Sequence, residues 1–340
     1  MPFVRQVTAS APSRIDLAGG TLDIWPISVL VPQAVTVNLA IELRARATIT
    51  ARAGGRVEIV SRDRRRRLTR RLPLRGQEAR GPLALLLRLA TAFEPQQGFR
   101  LICEALAPAG AGLGGSSTLA IASAAALARW KGERLAGERL VRRVMNLEAG
   151  LLGVPTGNQD YLAAVYGGLA AYHHGPDGTW REQLPVPRGL EGRLVLAFTG
   201  EPRHSGFSNW DMFRRFVDGE RRTVTRMERI ARISRELAGA LREGDLDAAA
   251  RLVGEEGRLR YELAPSVSTP ALLAADRAAR GAGAAGVKVC GAGGGGCLVA
   301  VAREGRAAAV AQAIARTGAQ LLPVRLAARG LRIERGSIRR

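Results

Sequence analysis

The first part of the chain alternates apolar and polar residues in a way that is typical of β-strands. Residues 34–60 hold two alternating runs and then a third, which follows the turn residues Ala53 to Gly55. A period of two residues lets a strand bury one face, and glycines suit a hairpin turn. These residues therefore predict strands and a hairpin.

Helical patterns follow in the middle of the chain. The residues from Leu119 to Trp130 are almost all apolar, as in a helix that is buried on every side. The stretch from Val141 to Leu152 has the period of an amphipathic helix and stops near Gly153 and Pro155, which end helices. We therefore predict one buried and one amphipathic helix here.

The second half of the chain begins with a stretch that lacks periodicity. Gly175 to Leu190 is rich in proline and glycine, and we predict that it connects two domains. A strand is predicted at Leu194 to Phe198, and long charged helices are predicted at 211–243 and 246–263. An apolar strand from Cys297 and a mixed α/β stretch complete the chain.

These elements mix strands and helices without regular β-α-β alternation. An α+β fold in two lobes therefore fits better than a doubly wound sheet, and 340 residues are enough for two domains. We place the N-terminal domain at residues 1–185 and the C-terminal domain at residues 186–340. No segment reaches the ~18 consecutive apolar residues of a membrane span, and no export signal is visible, so a cytoplasmic location is expected.

The charge of the chain raises a second class of function. The formal net charge is +21, and a charge of this size is common in nucleic-acid-binding proteins. The arginines that supply nearly all of it are spread along the chain, and the one dense run, Arg62 to Arg67, suits an exposed hairpin face. The composition therefore does not favour nucleic acid as the partner, although a nucleic-acid-binding protein stays an alternative. Anionic substrates fit the charge equally well.

A glycine-rich stretch, Pro108 to Leu119 (PAGAGLGGSSTL), leads into the predicted buried helix. Glycines let successive N–H groups converge on an anion, and a helix N-terminus adds unpaired donors. Ser116, Ser117 and Thr118 supply the oxygen ligands that Mg²⁺ prefers. No lysine follows the glycines, so this is not the common P-loop. A tight turn capped by serine explains the glycines equally well.

A second glycine-rich stretch, Lys288 to Cys297 (KVCGAGGGGC), precedes the apolar strand near the end of the chain. A close β-turn between two strands would need no ligand. Two such loops far apart in the chain are what a nucleotide site assembled from two lobes requires.

Three stretches, in the same order, resemble motifs of the GHMP kinase superfamily, which is named for galactokinase, homoserine kinase, mevalonate kinase and phosphomevalonate kinase. Ala11 to Asp23 (APSRIDLAGGTLD) is similar to the family's substrate-side motif. Pro108 to Leu119 resembles its ATP loop, P-x-x-x-G-L-G-S-S, and Lys288 to Cys297 resembles its C-terminal glycine motif. The resemblance implies a fold with an N-terminal ribosomal-protein-S5-domain-2-like lobe and a C-terminal ferredoxin-like α/β lobe.

The resemblance also implies roles for single residues. ATP would contact the two glycine-rich loops, at Pro108, Gly110, Gly112, Leu113, Gly114, Gly115, Ser116, Ser117, Gly293 and Gly294. Glu148 and Ser116 would hold Mg²⁺, although the extra glycine in GLGGSS leaves Ser117 as an alternative. Asp160 would be the catalytic base, with Arg14 as its electrostatic partner. Taken alone, Glu148 could equally be a surface residue of a helix, and Asp160 a turn residue.

The expected substrate follows from how the first motif departs from its relatives. Gly20 and Thr21 stand where galactokinases have glutamate and histidine, and AGGTLD is closer to kinases resembling D-glycero-D-manno-heptose 7-phosphate kinase. Asp23, Gly20 and Asp160 would contact the substrate, as would Arg203, which fits a structural role equally well.

The sequence thus predicts an enzyme that uses Mg²⁺ and ATP to phosphorylate a sugar or sugar phosphate, at the anomeric hydroxyl. The chain would act as a monomer or homodimer, without a membrane partner. A galactokinase- or mevalonate-kinase-type enzyme and a non-catalytic nucleotide- or sugar-binding relative stay alternatives.

Overall fold

The computed structural model describes residues 6–75, 79–201, 207–263, 265–291 and 293–335. Within these residues the chain forms twelve β-strands, which are Gln6–Ala18 (β1), Val35–Ala51 (β2), Arg56–Ser61 (β3), Arg66–Arg71 (β4), Phe99–Ala105 (β5), Leu169–Gly175 (β6), Gly178–Gln183 (β7), Leu194–Phe198 (β8), Ala284–Val289 (β9), Cys297–Ala302 (β10), Gln320–Leu322 (β11) and Arg332–Arg335 (β12). The same residues form eleven α-helices, which are Ile27–Leu30 (α1), Ala84–Ala92 (α2), Gly115–Lys131 (α3), Gly137–Leu152 (α4), Gln159–Tyr166 (α5), Leu190–Arg193 (α6), Phe207–Val217 (α7), Arg221–Glu243 (α8), Leu246–Leu263 (α9), Pro270–Gly281 (α10) and Ala307–Ala315 (α11). A 3₁₀ turn at Pro265–Val267 precedes α10.

The first sheet is built around β2, a strand of 17 residues. β2 is antiparallel to β1 along most of its length, to β6 near its start and to β5 near its end. The sheet continues from β5 to β3 and β4, from β6 to β7, and from β1 to β12. β1, which carries the first motif, lies between β2 and β12; β2 pairs with it along nearly its whole length, whereas β12 pairs only with Val7 to Ser10.

The strands and hairpin predicted for residues 34–60 are confirmed, with one difference. The first two alternating runs form one continuous strand, β2, whose two halves pair with different neighbours. Gly54 and Gly55 then turn the chain into β3 with φ angles of +81° and +62°, which glycine adopts readily.

Two stretches in the second half of the chain contain structure that the sequence pattern did not predict. The predicted connection between domains contains β7, which pairs with β6 across the turn at Pro176 and Asp177. The helix predicted for residues 211–243 is two helices, because Gly219, at φ +74°, interrupts it between α7 and α8. In both places one or two turn residues change the direction of the chain within a longer stretch of mainly polar sequence.

Helix α3 confirms the predicted buried helix and begins at Gly115, four residues earlier than its apolar run indicated. Nearly all of its side chains are buried, and it packs on β1 and β2. Many of these side chains are alanine, which lets a helix lie close to a sheet. The first turn of α3 is therefore held beside the strand that carries the first motif.

The second sheet is antiparallel, in the order β11-β8-β10-β9. One of its faces is covered by α10 and α11. Its other face belongs to one apolar cluster with the first sheet, in which Val299 of β10 and Val253 of α9 lie with Ile15 and Leu39. The chain is thus an α+β fold in two lobes, as the sequence predicts.

The division at residues 185 and 186 stays a prediction. This boundary separates the strands of the two sheets with one exception. β12, near the end of the chain, belongs to the first sheet, where it pairs with β1.

The dense arginine run lies in the β3–β4 hairpin, as predicted, and its side chains are largely exposed. Three arginines, Arg52, Arg67 and Arg100, pair with Glu58, which is only 1% exposed. Part of this basic surface therefore neutralises a buried carboxylate. Among the helices of the described ranges, none has the length and apolar character needed to cross a bilayer.

Candidate active site

The loop from Pro108 to Gly114 and the first turn of α3 form one wall of a cavity of about 420 Å³. Gly110, Gly112 and Gly114 have φ angles of +73°, +79° and +72°, and these turns direct the backbone into the helix at Gly115. The first N–H groups of a helix lack carbonyl partners and lie at the positive end of its dipole. This wall is therefore suited to an anion such as phosphate.

Most of the residues predicted to bind ATP line this cavity, namely Pro108, Gly110, Gly112, Gly114, Gly115, Ser116 and Ser117. Leu113 is buried behind them, and its carbonyl accepts a hydrogen bond from the Arg14 backbone N–H at 3.1 Å. Gly293 and Gly294 lie instead beside Val267 and Ser266, and the structure does not bring them to the cavity wall. The ATP contacts of all these residues stay predictions.

The C-terminal glycine motif packs against the back of this loop. The N–H of Cys297 donates to the Ala111 carbonyl at 2.8 Å, and a Cβ added to Gly296 would lie 2.8 Å from that same oxygen. A Cβ added to Gly112 would overlap the carbonyl oxygen of Cys290. The glycines on both sides thus allow two backbones to touch, which supports the loop's shape.

This contact makes Gly112→Ala a strongly destabilising change. The new side chain would clash with the Cys290 backbone and would hold a strained φ, so we expect the free energy of unfolding to fall by about 2–3 kcal/mol. Urea denaturation measures the loss. Gly115→Ala is the matched control, because its Cβ would lie an ordinary 3.8 Å from Ala107 and alanine suits a helix. Equal stability of the two variants would contradict the packing described here.

Glu148, in α4, lines the same cavity and is 5% exposed. Its carboxylate accepts hydrogen bonds from the hydroxyls of Ser116 at 2.6 Å, Ser117 at 3.1 Å and Tyr161 at 2.6 Å. Burial and the Glu148 charge raise the pKa of Tyr161, which keeps this phenol a donor. The alternative of a surface helix residue is therefore wrong for Glu148.

The oxygen atoms around Glu148 suit a hard cation that also binds phosphate. Within the described residues, no group of three or more histidine, cysteine, aspartate or glutamate side chains is placed to hold a metal ion. Mg²⁺ needs fewer protein ligands than such a site offers, because it typically uses one or two carboxylates together with substrate phosphates. Glu148 and the two serine hydroxyls in the first turn of α3 fit that pattern.

Asp160 and Arg14 form an ion pair at the end of the loop. Their Oδ1 and Nη2 atoms are 2.5 Å apart, although 146 residues separate them in the chain. Nη1 of Arg14 also donates to the Gly112 carbonyl at 2.7 Å. Burial would lower the pKa of Arg14, but Asp160 and Asp16 outweigh it and hold that pKa above its ordinary value. The Asp160 side chain keeps 21% exposure, so it can meet a substrate.

A smaller cavity of about 80 Å³ lies on the other side of Asp160 and is also lined by Asp23. The Asp23 carboxylate accepts from the backbone N–H of Gln159 at 3.0 Å and from its amide Nε2 at 3.3 Å. Burial raises the pKa of Asp23 to about 6, and the charge of Asp160 adds to this effect. The backbone of Gly157 touches the Asp23 carboxyl so closely that any side chain would overlap it.

Comparison with known proteins identifies this arrangement. A family model described as GHMP kinases N terminal domain matches residues 82–168, and a model described as GHMP kinases C terminal matches residues 237–320. A mevalonate kinase from Thermococcus sibiricus is 31% identical over 252 residues, which are 71% of each chain. The chain belongs to the GHMP kinase family. GHMP kinases are small-molecule kinases that use ATP.

Solved structures agree with this GHMP kinase assignment. A D-glycero-D-manno-heptose 1-phosphate kinase from Bacteriodes thetaiotaomicron has a TM-score of 0.79 and 25% identity, covering 97% of this chain and 99% of that one. A Lactococcus lactis galactokinase in complex with galactose has a TM-score of 0.80 and 18% identity, covering 97% and 95%. The two-lobed GHMP kinase fold is therefore shown, while the substrate differs among these similar proteins.

The structure brings the substrate-side residues predicted from this GHMP kinase sequence to one place. Gly20, Asp23, Arg14 and Asp160 all line the smaller cavity. Arg203 lies outside the described residues, so its contact with substrate stays a prediction.

A buried ionic network of this GHMP kinase was missed by sequence reasoning. Nζ of Lys288 lies 2.9 Å from Asp16 and 3.3 Å from Glu256, and all three side chains are completely buried. Arg260 pairs with Glu256 at 2.9 Å and donates to the Thr21 hydroxyl at 2.9 Å. The network joins the first motif, α9 and β9 beneath the smaller cavity. Lysine itself was a signal, because arginine supplies the charge at nearly every other basic position.

Proposed function

We propose that this GHMP kinase transfers the γ-phosphate of Mg-ATP to a sugar hydroxyl, at the anomeric position, in the manner of a heptose 7-phosphate kinase. One observation carries the proposal. Asp160 lines both cavities, the larger one with the phosphate-binding wall and the smaller one with Asp23. A carboxylate at this junction can take the proton of an acceptor hydroxyl as its oxygen attacks phosphorus.

The larger cavity supplies what a nucleotide needs. The start of α3 would bind phosphate oxygens, and apolar side chains that line the same cavity, among them Leu83, Leu86 and Trp210, suit a purine base. Glu148 and Ser116 would hold Mg²⁺, with Ser117 as the alternative to Ser116. The bound ion would neutralise charge on the β- and γ-phosphates.

Arg14 has two roles in this proposal. It fixes the Asp160 carboxylate through the 2.5 Å ion pair, and its positive charge offsets negative charge that builds up on the transferred group. Because the Gly112 carbonyl also holds its guanidinium, Arg14 ties the base to the phosphate-binding loop. Positioning and charge stabilisation would supply most of the rate enhancement.

A mevalonate-type kinase is the second candidate, favoured by the similarity to the mevalonate kinase of Thermococcus sibiricus. Two residues favour a sugar instead. Position 14 is arginine, as in galactokinase-like members, where mevalonate-kinase-like members carry lysine. Asp23 stands at the position that binds hydroxyls in the sugar kinases, and it lines the acceptor cavity.

ADP formation from Mg-ATP tests the proposed function. The acceptors are galactose, mannose, fucose, arabinose, glucuronate, heptose 7-phosphate and mevalonate. With one sugar we expect ADP and a phosphorylated sugar to form in equal amounts. This product should have no reducing end, and dilute acid should hydrolyse it, because anomeric phosphates are acid-labile. Turnover of mevalonate and of none of the sugars would support the second candidate, a mevalonate-type kinase, instead of a sugar kinase. ATP binding without any turnover would favour a non-catalytic relative.

A further inference from the structure

The chain leaves β1 through a strained turn at residues 19–21, which leads to Asp23. Thr21 is 5% exposed and has a φ angle of +78°. A β-branched residue is rarely found at positive φ, because its side chain crowds the backbone there. Strain of this kind persists only where neighbouring groups hold it in place, and it is common at functional sites. The contacts that hold this turn therefore bear on the function of the smaller cavity, which Thr21 and Asp23 line.

Arg260 and Glu256, one helical turn apart in α9, bond to every residue of this turn. Nη1 of Arg260 donates to the Thr21 hydroxyl at 2.9 Å, and Nη2 donates to the Gly20 carbonyl. Glu256 accepts a hydrogen bond from the Gly19 N–H at 3.3 Å and another from Nε of Arg260 at 2.9 Å. Both side chains are almost completely buried, at 3% and 0% exposure. A helix of the C-terminal lobe thus holds the substrate-side motif of the N-terminal lobe.

The shape and charge of arginine suit this role. Burial would lower the pKa of Arg260, but Glu256 and Asp16 outweigh burial and hold that pKa above its ordinary value. The guanidinium is therefore charged, and its N–H donors point in fixed directions within one plane. One side chain can then bond to a carboxylate, a hydroxyl and a backbone carbonyl at once. The compact ammonium of lysine has no such fork.

The position of α9 is itself fixed against the strand that precedes the C-terminal glycine motif. A Cβ added to Gly257 would overlap the carbonyl oxygen of Val287, so helix and strand touch through their backbones. Lys288, the next residue of β9, lies 3.3 Å from Glu256 and 2.9 Å from Asp16 of β1. These contacts leave little room for α9 to shift relative to β1, so the guanidinium holds the turn at a defined place.

The position of Asp23 depends on this turn. The backbone N–H groups of Leu22 and Ile24 donate to carbonyl oxygens of the turn, at 3.0 Å and 3.2 Å. Both chain neighbours of Asp23 are therefore bonded to it. Asp23 and Asp160 line the smaller cavity together, so a shift of the turn would change the distance between the two carboxylates.

We infer that Arg260 is a positioning residue for the acceptor: by holding the turn at residues 19–21, it fixes Asp23 relative to the proposed base, Asp160. The inference rests on the proposed function in taking the smaller cavity as the acceptor site, but it does not depend on which acceptor binds there. A displacement of about 1 Å at such a site can lower the rate about 100-fold. Efficient use of the acceptor therefore requires a residue of the C-terminal lobe that acts through the turn.

Arg260→Lys tests this role, because it keeps the positive charge beside Glu256 and removes the fork. With the best of the acceptors named above, we expect kcat/KM for the acceptor to fall about 100-fold and KM for ATP to stay within about twofold. Arg280→Lys is the matched control, since Arg280 donates at 2.6 Å to Asp276, four residues earlier in its own helix, and lines neither cavity. A loss that is equal for acceptor and ATP, or equal in the two variants, would overturn the inference.

Thr21→Ala tests the same contact without changing a buried charge, and it decides the matter if Arg260→Lys does not fold. Alanine crowds the backbone at positive φ less than threonine does, so the melting temperature should not fall. We expect about a tenfold loss in kcat/KM for the acceptor, most of which Thr21→Ser, with its hydroxyl, should recover. Combined with Arg260→Lys, Thr21→Ala should cause little further loss. Fully additive losses, or no loss in Thr21→Ala, would refute the role of this contact.

The crystal structure of Arg260→Lys separates this inference from the proposed function. If no acceptor leads to ADP release, the proposed function fails and the inference is decided by the turn alone. We expect Thr21 to leave the region of positive φ once the fork is gone. A turn that keeps its φ angles in the variant would overturn the role of Arg260, whatever the acceptor.

Discussion

Replacing Asp160 by asparagine is expected to lower kcat by about 10²–10⁴-fold, the usual contribution of a general base. Asparagine keeps the size of the side chain but cannot take the acceptor proton. It also leaves Arg14, which is 3% exposed at its side chain, without its ionic partner. The change is measured by steady-state ADP release with the best acceptor, together with calorimetric titration of ATP.

ATP affinity should change little in this variant, because Asp160 lies beside Gly114 in the larger cavity and is not one of the backbone N–H donors proposed to bind phosphate. Asp218→Asn serves as the control, since Asp218 is exposed in the turn between α7 and α8. A kcat within about threefold of the unmodified enzyme would rule out Asp160 as the base. An equal loss of ATP binding would instead indicate that the loop had collapsed.

Glu148→Gln is expected to weaken the binding of Mg²⁺ and to lower the rate of the reaction. Loss of one charge-stabilising contact typically lowers kcat by about 10²–10³-fold. Glutamine is also a poorer partner for the three hydroxyls that converge on Glu148, because only one of its terminal atoms accepts. Rates measured over a range of free Mg²⁺ at saturating ATP should show a half-saturating concentration at least about tenfold higher.

The two serines provide a comparison within the same site. Ser116 is exposed to the cavity, whereas Ser117 is 7% exposed. We expect Ser116→Ala to shift the Mg²⁺ dependence in the direction of Glu148→Gln, and Ser117→Ala to affect it less. The reverse order would move the magnesium ligand to Ser117. An unchanged Mg²⁺ dependence in Glu148→Gln would exclude Glu148 from the metal site.

Two different physical requirements explain the glycine-rich segments of this kinase. The glycines of the first loop give it positive φ angles that lead into α3. Those of the C-terminal motif let its backbone approach that loop, where Cys297 bonds to Ala111 and Gly112 meets Cys290. The turns of the loop and the backbone contacts that support it thus come from two different lobes.

Local patterns in the sequence were sufficient to predict most of the elements. Alternation predicted β2 and the hairpin to β3, because a strand with one buried face must repeat every two residues. The apolar run before Trp130 predicted α3 for a similar reason. The breaks at Gly219 and at the β6–β7 turn were missed, since one or two residues decide a turn while periodicity is judged over many.

The sequence by itself determined the family, through three motifs in order, and with the family the two-lobed α+β fold. Only the tertiary structure decided which groups meet. It paired Arg14 with Asp160 and Lys288 with Asp16, across 146 and 272 residues, and it turned Gln159 toward Asp23. Such contacts leave no local pattern, because the sequence around a buried charged residue does not differ from the sequence around an exposed one. Its role depends on partners that folding alone brings within hydrogen-bond distance.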